Sequence, residues 1–97
     1  CFFQQWLLLD SQCELPYLVQ LNEEVFHGYI DFIAFDHQHK VIEIVDFKTD
    51  GYSKTEQFIN AYAQQLHTYQ SAIAQIYPDY IIHTHIYSFH LNKMISM

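Results

Sequence analysis

Hydrophobic and polar residues alternate through the first half of the chain with the two-residue period of β-strands. In the segment ELPYLVQL, one face would carry Leu15, Tyr17, Val19 and Leu21. In the segment VFHGYIDFIAF, one face would carry Tyr29, Asp31, Ile33 and Phe35. The polar sequences NEE and DHQHK separate these segments from each other and from VIEIVDFK, as turns would. The pattern predicts a three-stranded antiparallel meander from Glu14 to Lys48.

The spacing of hydrophobic residues then changes to the three-and-four pattern of a helix. The residues on this repeat are Phe58, Tyr62, Gln65, Leu66, Tyr69, Ile73 and Ile76. The helix is predicted to begin between Ser53 and Glu56, and Pro78 marks its end. The segment DYIIHTHIYSFHL predicts a last strand, which a helical connection allows to lie parallel to an earlier one. This order of elements indicates an α/β fold, whereas the first dozen residues fit either a helix end or a short strand.

The length and composition fit one small domain, residues 1–97, with a hydrophobic core. Hydrophobic residues make up 51% of the chain, which argues against disorder. No hydrophobic run approaches the roughly 20 residues needed to span a bilayer. The two cysteines, Cys1 and Cys13, fit reduced thiols better than a disulfide framework, so a cytoplasmic location is predicted. Because the sequence begins at Cys1 rather than Met, we expect it to be a piece of a longer protein.

The charge of the chain is strongly acidic. Four lysines and no arginine stand against eleven acidic residues, which gives a formal net charge of −7. A domain that binds nucleic acid by itself normally presents a basic surface to the phosphates. Either nucleic acid is not the partner, or another part of a larger protein supplies that surface.

Three charged residues occupy strand positions at which hydrophobic residues are expected. Asp46 and Lys48 end the row that Ile42 and Ile44 begin, and Asp31 lies in the preceding strand. If the two strands pair through DHQHK, their ends meet and two carboxylates converge beside a lysine. Two carboxylates with open coordination positions suit Mg²⁺, and a lysine can stabilise charge on a phosphate oxygen. The simpler interpretation is a buried Asp–Lys ion pair or a solvent-exposed strand end.

Four short motifs occur in order along the chain, namely ELPY, GYID, DFKT and YAQQLHTY. They resemble the E-x-P-F/Y, G-x-I-D, D-Y/F-K-T and Y-x-x-Q-L-x-x-Y patterns of the RecB-like branch of the PD-(D/E)xK nucleases. The resemblance runs from Glu14 to about Ile73 and is nearest to the C-terminal nuclease modules of bacterial RecB and AddA helicase–nucleases. It implies a restriction-endonuclease-like core. It also implies a hydrolase that cleaves DNA phosphodiester bonds with Mg²⁺, or with Mn²⁺ in its place.

The resemblance also implies roles for individual residues. Asp31 and Asp46 would be metal ligands, joined by the backbone carbonyl of Phe47. Lys48 would be the catalytic lysine, placed beside the metal.

The remaining matched positions lie on the helix and at the first strand. Gln65 and Tyr69 would form the Q-x-x-x-Y signature, which lines the catalytic site and the DNA path. Glu14 would be structural or peripheral. These nucleases usually carry a further metal-ligand histidine upstream, and residues 1–12 contain none.

The implied function is an Mg²⁺-dependent deoxyribonuclease module of a helicase–nuclease that acts in DNA double-strand-break repair and recombination. Exonuclease is favoured over endonuclease activity, and weak or no cleavage is expected of this chain alone. The expected partners are DNA and helicase domains of the same or a partner chain, with no membrane. Two alternatives stay open. One is a catalytically silent nuclease-like domain for DNA-path or subunit contacts, and the other is a RecB-like nuclease of a phage or a CRISPR adaptation system.

Seven histidines raise a zinc site as a further hypothesis. His83 and His85 would share one strand face, and His37 and His39 would do so if their loop were extended. A closed zinc site needs four ligands, often including cysteine. Histidines that are hydrogen-bonded or exposed to solvent are the favoured interpretation.

Overall fold

The predicted meander is present, and it begins earlier than the sequence pattern indicated. The structure, a computed structural model, describes residues 10–97 apart from the side chains of Val19 and Leu21. The three strands are β1 (Asp10–Leu21), β2 (Glu24–Asp36) and β3 (Val41–Lys48). Each strand is antiparallel to the next. Residues 10–12 of the ambiguous first segment belong to β1, and the part before them lies outside the described residues.

Two tight turns connect these strands where the sequence predicted them. The first consists of Asn22 and Glu23, whose φ angles of 50° and 69° are left-handed. A two-residue turn with both residues left-handed follows the right-handed twist of an antiparallel pair. The second turn covers residues 37–40 and ends at Lys40 with a φ of 56°.

Helix α1 spans Thr55–Ile76, as the hydrophobic spacing predicted. At its beginning, the Gln57 side-chain carbonyl accepts hydrogen bonds from the backbone N–H groups of Ser53 and Lys54, at 3.2 and 3.1 Å. These bonds satisfy backbone donors that would otherwise lack partners, and they fix the first turn. The helix ends before Pro78, as predicted. In the part of the chain that the structure describes, no helix is long and apolar enough to cross a membrane.

After α1, the chain returns to form β4 (Ile81–Ser88) parallel to β3, as a helical connection allows. The structure adds β5 (Lys93–Ser96), antiparallel to β4. The sequence interpretation missed β5, because it extended the last strand through Leu91 and a strand of 4 residues shows no clear period. The chain turns back at Asn92, whose φ is 53°. The result is a mixed α/β fold, a 5-stranded sheet in the order β1-β2-β3-β4-β5 with one long helix.

Helix α1 covers one face of the sheet and builds the main core with it. The buried helix residues in this core are Phe58, Leu66, Tyr69 and Ile73. The buried sheet residues are Ile30, Ile33, Ile42, Ile44, Ile86 and Ile95. A smaller cluster on the opposite face consists of Phe32, Ala34 and Val45. Ile76 was predicted on the buried helix face but is 65% exposed, because it lies in the last turn of α1, beyond the centre of the sheet.

The side chains of β2 do not alternate regularly between the two faces of the sheet. The prediction that the odd-numbered residues from Tyr29 to Phe35 share one face is therefore wrong. Ile30 and Ile33 both pack in the helix-side core. Strict alternation would put residues three apart on opposite faces. Glu14 and Asp31 are missing from the otherwise continuous register of β1 and β2, and Glu14 has a left-handed φ of 57°. The change of face in β2 therefore coincides with the position at which Glu14 and Asp31 are not paired.

Cys13 is disulfide-bonded, so the expectation that it is a reduced thiol is wrong, and Cys1 lies outside the described residues. Cys13 lies in β1, opposite Phe32 of β2. The distance between two cysteines in the sequence does not show whether the fold brings their sulfur atoms together, because this depends on the geometry of the two Cβ atoms.

Replacing Leu66 by Ala should lower the free energy of unfolding by about 2–5 kcal/mol, because it leaves a cavity between α1 and the sheet. Leu66 is 1% exposed. Leu18→Ala is the matched control, since Leu18 is 76% exposed, and it should change the stability by less than about 0.5 kcal/mol. Urea denaturation measures both values, and similar losses in the two variants would contradict the placement of the core.

Candidate active site

The end of β3 carries two charged side chains on the face that α1 covers. Ile42 and Ile44 occupy the same face and are fully buried, and Asp46 follows them at 3% exposure. Lys48 is the next residue on this face and the last residue of the strand. The strand therefore keeps its alternation to its end and carries a carboxylate under the helix, where burying an unpaired charge is costly.

Asp31 reaches the same place from β2, where that strand separates from β3. The backbone pairing of the two strands ends at Phe32 and Val45. Beyond that point, Asp31 Oδ2 accepts a hydrogen bond from the Phe47 N–H at 2.9 Å. The Asp31 side chain thus accepts a hydrogen bond from a backbone N–H of β3 that the backbone of β2 would otherwise accept. The Asp31 carboxyl is near enough to Asp46 to raise the pKa of the Asp46 carboxyl, so the two strand ends do bring the two side chains together.

The Asp46 carboxyl is poorly suited to carrying a charge where it lies. Burial, followed by the neighbouring Asp31 carboxyl, raises the pKa of Asp46 to about 6, and the Lys48 ammonium opposes this shift. Two carboxylates this close repel each other as anions, which favours a proton or a cation between them. The site therefore concentrates negative charge that Lys48 offsets in part.

Lys48 is held by three different groups. Its Nζ lies 2.7 Å from Asp46 Oδ2 and donates to Gln65 Oε1 at 3.0 Å. It also lies 4.1 Å from the centroid of the Tyr62 ring, which is a cation–π contact. The contact with Asp46 is an ion pair rather than a well-directed hydrogen bond, because the buried Oδ2 atom has no hydrogen-bond partner. A cation bound at Asp46 would therefore compete with the Lys48 ammonium for this carboxylate.

The two residues of the Q-x-x-x-Y signature contribute differently. Gln65 is exposed on α1 and contacts Lys48 directly. Tyr69 is 5% exposed and packs edge-on against Tyr17, with 5.4 Å between the ring centroids. Burial raises the pKa of Tyr69, and the charge of Asp46 raises it further. Gln65 thus forms part of the contact shell of the lysine, whereas Tyr69 belongs to the buried wall beside the carboxylates.

Sequence reasoning missed two contributors, Tyr62 and Asp50. The Tyr62 O–H donates to the Asp50 carboxylate and lies 2.8 Å from each of its oxygens. This hydrogen bond raises the pKa of Tyr62 to about 12, because ionisation would place a second negative charge beside Asp50. Tyr62 was predicted on the helix face without a chemical role, although it lies three residues before Gln65 and so on the same side. Asp50 lies in the loop after β3, where no periodic pattern points to a function.

Tyr17 is a third residue that the sequence did not single out. It lies over Gly28 of β2, where an added Cβ would come within 3.3 Å of the Tyr17 ring. Gly28 therefore makes room for an aromatic ring. Burial, followed by the charge of Asp46, raises the pKa of Tyr17. Tyr17 and Tyr69 together form an aromatic wall beside the carboxylates.

Glu14, expected to be structural or peripheral, borders the space in front of Asp31. Glu14, Tyr29 and Asp31 line a surface pocket of about 340 Å³. A larger pocket of about 410 Å³ lies between β1 and the end of α1, and its lining includes none of Asp31, Asp46 and Lys48. Of these two pockets, the smaller one contacts the site through Asp31, and Asp46 and Lys48 line neither of them.

The acidic residues fit a loosely held magnesium ion better than a closed metal centre. Within residues 10–97, no group of three or more His, Cys, Asp and Glu side chains is arranged to hold a metal ion. Asp31 and Asp46 supply two carboxylates, and Asp46 Oδ2 lacks a hydrogen-bond partner. Mg²⁺ is commonly bound by one or two carboxylates, with water and substrate phosphate completing its shell. The carbonyl of Phe47 as a further ligand stays a prediction.

Four of the histidines are engaged in hydrogen bonds. His83 Nδ1 and His85 Nε2 lie 2.9 and 2.5 Å from the two oxygens of Glu43, on the sheet face opposite α1. His37 and His39 each pair with an aspartate of their own. These four histidines are hydrogen-bonded side chains, as the favoured interpretation expected.

No family model matches the chain, and no curated protein matches it either. The likeness to RecB-like nucleases therefore rests on the four motifs and on the arrangement of the residues that they contain.

Replacing Asp46 by Asn should stabilise the protein at neutral pH. The pKa of about 6 in the folded protein lies above the usual value, so folding is favoured by protonation of Asp46. This contribution is complete below about pH 4 and is lost as the pH rises through about 6. The variant cannot ionise there, so at pH 7 it should be more stable by roughly 1–2 kcal/mol. The shift already includes the Lys48 ammonium, which favours the ionised form of Asp46.

Urea denaturation between pH 4 and 7 measures the difference between the Asp46→Asn variant and the wild type. Asp79→Asn is the matched control, since Asp79 is exposed in the turn after α1. Its difference from the wild type should stay near zero throughout. A difference for Asp46→Asn that does not grow with pH would contradict the raised pKa.

Proposed function

We propose that the chain is an Mg²⁺-dependent DNA nuclease module of the RecB-like branch of the PD-(D/E)xK nucleases. The observation that carries this proposal is the meeting of Asp31, Asp46 and Lys48 at one end of β2 and β3. These are the residues to which the motif resemblance gives catalytic roles. A structural ion pair would explain Asp46 and Lys48, but it gives no reason for a second carboxylate beside a buried one. A perturbed acid with a specific charged neighbour is typical of a functional site.

The proposal extends to the fold, for which we infer a restriction-endonuclease-like core. An antiparallel meander, a crossing helix and a strand parallel to the third one support this inference. In the inferred core, the working residues lie at strand ends and in the middle of the helix.

In this proposal, Asp31 and Asp46 hold Mg²⁺, which when bound supplies an activated water and a charge for phosphate oxygens. Lys48 donates from Nζ to a non-bridging phosphate oxygen, where negative charge grows as water attacks phosphorus. Hydrolysis joins the water oxygen to phosphorus and breaks one P–O ester bond, which leaves a phosphate end and a hydroxyl end. Gln65 keeps the ammonium in place through its carbonyl oxygen. Tyr69 closes the buried side of the site.

The acidic charge of the chain determines which partners the proposal requires. With four basic residues and a net charge of −7, the chain cannot release many counterions from a DNA backbone by itself. We therefore infer that helicase domains of the same or a partner chain supply the basic DNA path. The proposed role is exonucleolytic processing of DNA ends in double-strand-break repair and recombination. The DNA substrate, rather than the cysteines, is the reason for proposing a cytoplasmic location.

A catalytically silent nuclease-like domain is the second candidate function. It is favoured by the absence, within residues 10–97, of a group of three metal-binding side chains. In such a domain, the ion pair of Lys48 with Asp46 would be a structural contact, and the surface would serve a partner subunit or the DNA path.

Cleavage of end-labelled linear DNA in the presence of Mg²⁺, Mn²⁺ or a chelator tests the nuclease proposal. We expect weak cleavage that requires the metal. Lys48→Ala should reduce it by roughly 10²-fold or more, as loss of a group that stabilises transition-state charge does. Asp46→Ala should abolish it. Asp79→Ala, the matched surface variant, should cleave as the wild type does.

Thermal unfolding with increasing Mg²⁺ gives a second measurement that does not need cleavage. Binding at a concentration 100 times the dissociation constant should stabilise the wild type by about 2.7 kcal/mol, and the Asp31→Ala variant should show no such gain. A wild type that neither cleaves DNA nor gains stability from Mg²⁺ or Mn²⁺ would reject the nuclease proposal in favour of the silent domain.

A further inference from the structure

Tyr62 and Asp50 connect the loop after β3 to helix α1 directly beside the Lys48 ammonium. We infer that Tyr62 is a positioning residue for Lys48 and that Asp50 acts through Tyr62. The inference rests on the proposed nuclease function, because Lys48 is its catalytic lysine. Neither Tyr62 nor Asp50 is assigned a contact with DNA or with the metal.

The contacts of the ammonium leave one side for the Tyr62 ring. A lysine ammonium has three N–H bonds and no acceptor. One side of Nζ faces Asp46 at 2.7 Å, and another faces Gln65 at 3.0 Å. The ring centroid of Tyr62 is 4.1 Å from Nζ, within the range of a cation–π contact. The side chain of Lys48 is 17% exposed, so this arrangement also shields part of the charge from water.

Asp50 restrains the Tyr62 ring at its hydroxyl group. Both carboxylate oxygens lie 2.8 Å from the phenol oxygen, which restrains the direction of the O–H bond and the tilt of the ring. The hydroxyl donates to an anion, and such charge-assisted hydrogen bonds are about twice as strong as neutral ones. The negative charge of Asp50 beyond the hydroxyl also makes the ring face more attractive to a cation. Asp50 therefore acts on Lys48 through Tyr62.

A neutral ring is a suitable holder for this lysine. The lysine side chain has four flexible carbons, so its ammonium needs several contacts to stay in one place. In the proposed site, Asp46 would turn towards the cation, and the N–H of Lys48 that now faces Asp46 would then donate to a phosphate oxygen. Tyr62 attracts the ammonium without adding another carboxylate to the site. It thus positions Lys48 without neutralising the charge that a phosphate oxygen would meet.

The alternative is that the hydrogen bond between Tyr62 and Asp50 only connects the loop after β3 to helix α1. In that case, loss of Tyr62 or Asp50 would lower stability and leave the ammonium where it is. The two interpretations differ in the magnetic environment of Lys48, because protons over an aromatic face are shifted upfield by the ring current.

A ¹H–¹³C spectrum of the lysine ε-methylene groups therefore tests the contact. The chain has four lysines and no arginine, so few signals are expected, and Lys48→Gln assigns the one of interest. In the wild type, this signal should lie upfield of the others. Tyr62→Leu should move it to the position of an exposed lysine. Tyr62→Phe and Asp50→Ala keep the ring and should move it only in part.

Steady-state cleavage by the same variants tests the effect on the reaction. Tyr62→Leu should reduce kcat on the order of tenfold with KM little changed, since it removes a cation–π contact that orients a catalytic group. Tyr62→Phe and Asp50→Ala should each reduce kcat roughly threefold, as loss of one hydrogen bond would. The double variant should match either single one, because Asp50 acts only through the hydroxyl. Asp79→Ala is the matched control for Asp50→Ala.

The outcomes separate the two proposals. A Lys48 signal that is not upfield in the wild type, or that stays in place in Tyr62→Leu, would overturn the positioning role. Additive losses in the double variant would overturn the action of Asp50 through Tyr62. If the wild type cleaves no DNA, the nuclease function fails, and the spectrum still decides whether Tyr62 holds the ammonium. If Tyr62→Leu does not fold, the upfield position of the Lys48 signal in the wild type and its partial shift in Tyr62→Phe decide the question.

Discussion

The buried carboxylate of Asp46 is the constraint around which the end of the sheet is arranged. Ile42 and Ile44 fill the same face of β3, so the strand carries Asp46 under α1, where an unbalanced charge is costly. Lys48 offsets that charge from the same strand, and Gln65 steadies Lys48 from the helix. With a hydrophobic residue in place of Asp46, this end of the sheet would hold no buried charge for Lys48 to offset.

The sequence revealed those residues that interrupt a regular pattern. Asp46 and Lys48 were visible because they replace hydrophobic residues in an alternating row, and Gln65 because it lies among the core residues of a helix. Tyr62 was not visible as a site residue, because a tyrosine on a buried helix face looks like ordinary core. Asp50 lies in a loop, and its partner is 12 positions away, so no local rule connects them.

The order of strands and helix was predictable because the hydrophobic pattern of each long element extends over many residues. The differences between the structure and this prediction depend on the backbone conformation of single residues. The change of face in β2 accompanies the left-handed φ of Glu14, and a glutamate gives no sequence signal for that conformation. Strand β5 has 4 residues, which is only two repeats of the strand period and too few to show a clear alternation. Contacts made between distant elements, such as the Tyr17 ring over Gly28, are set by packing and not by local sequence.

The parallel pairing of β3 with β4 also determines the order in which the site can assemble during folding. The hairpins β1–β2 and β2–β3 join segments that are adjacent in the chain, so they close short loops. The pairing of β3 with β4 must wait for the chain from residue 49 to residue 80 to cross over, and long loops close more slowly. The meander can therefore form while the end of β3 is still open to water. Asp46 then becomes buried late, when the crossing helix docks on a sheet edge that already exists.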